Sequence, residues 1–129
     1  MRVFWVMAMV MLLASCATST GADLPVSERP QVEATEAYMP ANAEICGRAG
    51  GDYIRDGMLG WYQCVYRYAD GGQVCSDSSE CEGDCRATTP MGEAPPEGYS
   101  TGTCQLTTSP FGCYGTVENG RVGPFLCVD

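Results

Sequence analysis

The chain has 129 residues with nine Cys, 16 Asp+Glu, seven Arg, no Lys and no His. Without His there is no Ser-His-Asp triad, no Cys-His nucleophile pair and no His-ligated metal; without Lys there is no Schiff base and no P-loop lysine. A net charge of −9 argues against nucleic acid, which needs clustered cations.

Met1-Arg2 opens the chain with one positive charge, and Val3 to Ala14 is a run of twelve apolar residues. As a helix that run covers about 18 Å, short of the ~30 Å hydrocarbon core, so it reads as a signal-peptide core and not a membrane span. Residues 1–15 are therefore expected to be a signal peptide. Leu13-Ala14-Ser15-Cys16 follows: an aliphatic residue, two small residues and a Cys. This resembles the lipobox of bacterial lipoproteins. The resemblance implies that Cys16 is lipidated on its sulfur, that the signal is cut just before it, and that the new amino terminus is acylated. Ala17 stands where an Asp would retain such a lipoprotein at the inner membrane, which implies the outer membrane. The expected partner is thus a membrane, reached through a lipid anchor.

Removing the signal changes the composition. Six Arg against 16 acids leave a charge of −10, and the hydrophobic share of residues 17–129 falls to 44 of 113. Residues 17–42 contain no Cys, three Pro and one aromatic. Small, acidic, Pro-rich composition buries too little apolar surface to offset ordering. Residues 16–42 are therefore expected to form a flexible acidic tether, in which Val32–Tyr38 has the Ala and Glu content for a helical turn.

Residues 43–129 hold the other eight Cys and 15 of the 16 Gly, with only ten Leu, Ile or Val. Such a core is thin and needs staples. In an exported chain, Cys46, Cys64, Cys75, Cys81, Cys85, Cys104, Cys113 and Cys127 read as a disulfide framework. The odd ninth Cys is Cys16, which lipidation accounts for. Spacing leaves the pairing open, except that the neighbours Cys81 and Cys85 are expected to take different, distant partners.

Trp61 to Tyr68 is the best strand, aromatic and β-branched with no breaker. Alternation puts Tyr62, Cys64, Tyr66 and Tyr68 on one face. Asp70-Gly71-Gly72 offers a turn from which Gln73-Val74-Cys75 runs back. Thr116 to Val122 is a second hairpin, with Asn119-Gly120 suited to a type I′ turn. The two hairpins share a loose pattern that suggests duplication. Residues 86–103 are rich in Pro, Thr and Gly and read as a loop. No window shows sustained helical periodicity. The expected fold is small, disulfide-rich and mainly β, built of short hairpins and loops with little helix.

Ala43-Glu44-Ile45-Cys46-Gly47-Arg48-Ala49-Gly50-Gly51 has the form Ala-x-x-aromatic-Cys-x-x-x-Gly-Gly, with Ile45 in place of the aromatic. Cys64 and Asp70-Gly71 stand where a second Cys and an Asp-Gly turn would follow. Residues 43–71 thus resemble the start of the small Cys-rich domain of haemolysin-like lipoproteins. The later Glu-x-Trp element of that family is missing, and no amphipathic segment supports pore formation.

Trp61, Tyr62, Tyr66, Arg67 and Tyr68, with Gln63, form a candidate binding surface. Stacked rings with polar partners suit sugars, and aromatics also carry protein interfaces. The simpler reading is that these rings fill a core short of aliphatics. Asp77, Glu80, Glu82 and Asp84 are dense enough to suggest Ca²⁺, but their spacing is not that of an EF-hand. A solvated acidic loop held by Cys75, Cys81 and Cys85 is the simpler reading. Residues 86–103 and Gln105 to Gly112 are candidate braced loops for protease inhibition. No Cys-x-x-Cys motif is present, and a Cys₄ zinc site is disfavoured in an oxidising compartment. No metal, cofactor or catalytic residue is expected. The expected function is a non-catalytic structural or interaction module of the cell envelope, binding an envelope protein or a glycan. A carbohydrate-binding module and a protease inhibitor are the alternatives.

Overall fold

The computed structural model describes residues 21–88 and 100–129. The expected signal peptide, Cys16 and residues 89–99 of the expected loop lie outside the described residues. Helix α1 (Pro40–Arg48) is followed by strands β1 (Asp52–Asp56) and β2 (Trp61–Val65). Strands β3 (Val74–Cys75), β4 (Cys85–Ala87) and β5 (Gly102–Cys104) come next. The C-terminal part holds β6 (Gly112–Tyr114), β7 (Val117–Glu118), β8 (Arg121–Val122) and β9 (Leu126–Val128). This is a disulfide-rich, mainly β chain, as its composition predicts.

Helix α1 is punctuated locally. Pro40 occupies the first helical position, where a missing N–H is harmless. At the other end Gly50 takes φ +76°, Gly51 N–H donates to Cys46 O at 2.9 Å and Gly50 N–H to Gly47 O at 3.0 Å. That is a Schellman stop, and Gly supplies its left-handed residue without strain. The sequence shows no helical periodicity here because the buried positions of α1 and its cap are Cys46 and Ala49.

The Cys46–Cys64 bridge clamps α1 onto β2. β2 pairs antiparallel with β1, from Asp52↔Val65 to Asp56↔Trp61. The turn Gly57-Met58-Leu59-Gly60 joins them, with positive φ at both Gly. The expected return strand after Asp70-Gly71-Gly72 pairs elsewhere: β5 sits between β3 and β4 in an antiparallel sheet. The strand expected to reach Tyr68 ends at Val65, after which Arg67 makes a single bridge to Thr107. The second hairpin forms as expected. β7 pairs with β8 around Asn119 (φ 50°) and Gly120 (φ 71°), the left-handed pair a type I′ turn requires. β6 pairs with β9 across the Cys113–Cys127 bridge. Cys81 and Cys85 do take different partners, Cys104 and Cys75. Because Cys64 joins Cys46 while Cys113 joins Cys127, the two hairpin regions do not share a bridge pattern.

Among the described residues, two small clusters make the core. In one, Val26, Ala49 and Tyr66 pack with Cys64 and Tyr68. In the other, Val117 packs on Cys75, Cys85 and Cys104, so half-cystines supply most of the buried volume. The first cluster corrects the reading of a flexible tether for residues 21–42. From Gly21 on, that segment lies on the domain. Val26 is buried and its N–H donates to Glu82 Oε1 at 2.7 Å. Pro30 O accepts from Tyr66 Oη at 2.7 Å, and Thr35 exchanges both backbone hydrogen bonds with Tyr62. Val32–Tyr38 forms no helical turn: it is bridged to β2 at Thr35 and bends at Glu36 and Ala37. Single anchoring groups order this stretch, and its average composition conceals them.

Candidate interaction surfaces

The β1–β2 hairpin sets Trp61 and Tyr62 on opposite faces, as alternation does, while Tyr66 and Tyr68 lie beyond its end. Tyr62 shares one face with Arg55, directly opposite, and with Tyr53. The Tyr53 and Tyr62 rings stack at 5.6 Å, and Tyr38 meets both edge-on at 5.5 and 5.2 Å. The Arg55 guanidinium lies 4.7 Å over the Tyr62 ring, and Thr35 Oγ1 is 2.8 Å from Tyr53 Oη. Rings at this spacing prefer offset and edge contacts, and the cation adds attraction to the ring face. The trio is a rigid, partly exposed aromatic corner.

Trp61 points to the other face. It borders a recess with Met58, Leu59, Gln63 and Phe111. Met58 and Leu59 are 76% and 75% exposed at the turn, and Ile54 and Trp61 are exposed nearby. Gln63 Nε2 donates to Asp56 Oδ2 at 2.9 Å, which fixes the polar rim of the recess. Contiguous exposed apolar side chains at a hairpin tip are the usual mark of a contact surface.

Tyr66 is not part of any surface. It is 1% exposed, with Arg29 5.4 Å from its ring, and burial raises its pKa above the usual 10.0. Tyr68 is half-buried against Gly83; burial first, then Asp84 and Glu82, raise its pKa as well. Arg67 is exposed, with its Nε 4.0 Å from Asp52 Oδ2. Of the five candidate residues, Trp61 and Tyr62 therefore flank opposite faces, Arg67 is exposed beside Asp52, and Tyr66 and Tyr68 serve packing. The sequence reading missed Tyr38, Tyr53 and Arg55. It also missed Met58 and Leu59, although two apolar residues framed by Gly57 and Gly60 are a readable sign of an exposed turn.

Asp77, Glu80 and Glu82 of the acidic run accept from the chain's own donors. Asp77 Oδ1 accepts from Ser79 N at 2.9 Å and Ser79 Oγ at 2.6 Å, and Oδ2 accepts from Asn119 N at 2.7 Å. These bonds hold its pKa below the usual 3.8. Glu80 accepts from Ser76 N and Oγ, and Glu82 from Val26 N. The carboxylates cap and pin local structure. The sulfurs of Cys75, Cys81 and Cys85 lie within 4.8 Å of one another, but all three are in bridges. Bridged sulfur is not a thiolate, so the cluster works as packing material. The loop after Cys104 is braced: buried Gln105 donates through Nε2 to Thr107 O at 2.6 Å and Ser109 O at 3.1 Å. Leu106 stands exposed on it.

Comparison with protein-family models, with curated proteins and with solved structures finds no match for this chain.

Proposed function

We propose that this chain is a bacterial cell-envelope lipoprotein, anchored through an acylated Cys16, whose disulfide-rich domain is a non-catalytic interaction module. Cysteine parity carries the reading. All eight Cys from Cys46 to Cys127 pair with one another. The ninth is the one that ends the lipobox-like Leu13-Ala14-Ser15-Cys16. Four bridges also fit an oxidising envelope compartment. Ala17 favours the outer membrane. The contact surface is the hairpin tip of Met58, Leu59 and Trp61, whose exposed apolar groups suit a protein partner in the envelope. A glycan is the second reading, favoured by the Tyr38–Tyr53–Tyr62 corner with Arg55 beside it.

Expression in a diderm bacterium tests the anchor. The expected product begins at Cys16, carries the mass of added acyl chains, and fractionates with outer membranes. A Cys16→Ala variant that still fractionates with membranes would defeat the anchoring.

A further inference from the structure

We infer that the α1 face of the domain, the side on which the chain emerges at Gly21, lies against the lipid headgroups, and that the β1–β2 tip is held pointing away from the bilayer. The inference rests on the proposed acylation of Cys16 and goes beyond it by fixing an orientation.

Gly21 is docked on α1's end. A Cβ placed on Gly21 would lie 3.2 Å from Ala49 Cα. Its neighbour Ala22 packs beside Gly50. Arg29 folds back to donate to Leu24 O at 2.9 Å and Ala22 O at 3.0 Å, which holds the segment in place. Five residue steps separate Cys16 from Gly21. Whatever their conformation, they reach at most about 18 Å. A domain of a hundred residues has a radius of gyration of about 13 Å and is therefore roughly 30 Å across. The reach is shorter than the domain. If the domain turned over, Gly21 would stand farther from the headgroups than the chain can extend. A tether running to residue 42 would impose no such limit.

The surface that this geometry presents to lipid is suited to it. Gly21, Pro30, Ile45, Arg48 and Ala49 line a shallow groove of about 230 Å³ beside the emerging chain. Ile45 is 46% exposed. Arg48 pairs with Glu44 one turn earlier, so the exposed side of α1 has no net charge in a mature chain of −10. An anionic leaflet repels the acidic remainder of the domain, Asp23 of the emerging segment included, but not α1 itself. The anchor keeps the face at high local concentration, so a weak contact suffices. The β1–β2 hairpin starts beside α1, where a Cβ on Gly51 would meet the Cys46–Cys64 sulfurs, and its turn lies some 15 Å farther along the strands. The tip with Met58 and Leu59 therefore lies at the far end of the hairpin from the emerging chain, and the inferred orientation turns it to the aqueous side.

Hydroxyl-radical footprinting of the full acylated protein in nanodiscs of phosphatidylethanolamine and phosphatidylglycerol tests this, with soluble Cys16→Ala protein as reference. Ile45 should label several-fold more slowly in nanodiscs, while Leu59 labels at the same rate in both. A 20-residue Gly/Ser insert between Thr20 and Gly21 should restore Ile45 to its soluble rate. Equal Ile45 labelling in acylated and soluble protein overturns the orientation and leaves the anchor standing. Protection of Leu59, or Ile45 protection that survives the insert, also overturns it. A chain without acyl mass overturns the lipoprotein reading and this inference together.

Discussion

Asp77 shows how one side chain joins distant parts of so small a domain. Its first oxygen caps the 3₁₀ turn Ser78–Glu80 through Ser79, and its second reaches 42 residues along the chain to the Asn119 N–H. A carboxylate that accepts several hydrogen bonds is favoured in its charged form, which is why its pKa lies below 3.8 in the folded chain. The sign of the pH effect follows. The unfolded chain binds the proton more tightly, so the stabilisation is complete above 3.8 and is lost as pH falls through the lower folded value. Asp77→Ala should lower the melting temperature at neutral pH and lower it less at strongly acidic pH, where the wild-type carboxyl is already protonated. Thermal melts of the two proteins across the acidic range check this. A difference independent of pH would mean that the loss is one of packing and not of the carboxylate.

At the scale of elements, the clearest constraint is the clamp between α1 and the β1–β2 hairpin. Gly51 lies where a Cβ would come within 2.6 Å of Cys64 Sγ, 2.7 Å of the Tyr66 ring and 2.8 Å of Cys46 Sγ. Gly51→Ala should therefore destabilise by about 1–3 kcal/mol, as overpacking does. It should also slow formation of the Cys46–Cys64 bridge. Denaturant unfolding and the fraction of Cys46 left alkylatable during refolding report the two effects. The same clamp explains what the sequence reveals and what it conceals. The Asn119-Gly120 hairpin is legible because a type I′ turn is specified by two adjacent residues. Trp61–Val65 is legible as a strand from its own residues, but its partner is not. Asp70-Gly71-Gly72 offered a nearby return, whereas the bridge to Cys46 and the close fit at Gly51 deliver β1. The candidate surface takes its rings from one expected strand, Trp61–Tyr68, and it fails where the strand ends at Val65 and Tyr66 turns into the core. Residues 21–39 were illegible for a different reason. Val26, the Pro30 carbonyl and Thr35 are isolated anchor points that each contact a far part of the chain, and no periodic pattern connects them.

For the molecule as a whole, two cores of unlike material imply two unlike responses to reduction. Around Val117 the buried volume is chiefly Cys75, Cys85 and Cys104, so opening those bridges removes crosslinks and loosens the packing they support. Cys113 and Cys127 are exposed and clip β6 to β9 at the edge of the domain. Thiol–disulfide exchange requires access to a sulfur, so exposed bridges open before buried ones. Graded reduction with trapping of free thiols should therefore release Cys113 and Cys127 first, while the β-rich circular dichroism spectrum persists. A crosslink closing about 15 residues contributes ~3 kcal/mol in the chain-entropy picture, and the singly opened species should be weakened by no more than that. Cys75 and Cys85, fully or almost fully buried, should be released last and together with global unfolding. Simultaneous release of all eight thiols would show instead that the terminal ladder and the cystine core unfold as one unit. Ordered release would leave an intermediate in which the α1 clamp and the hairpin tip are intact, so the proposed contact surface on β1–β2 would survive loss of the C-terminal bridge.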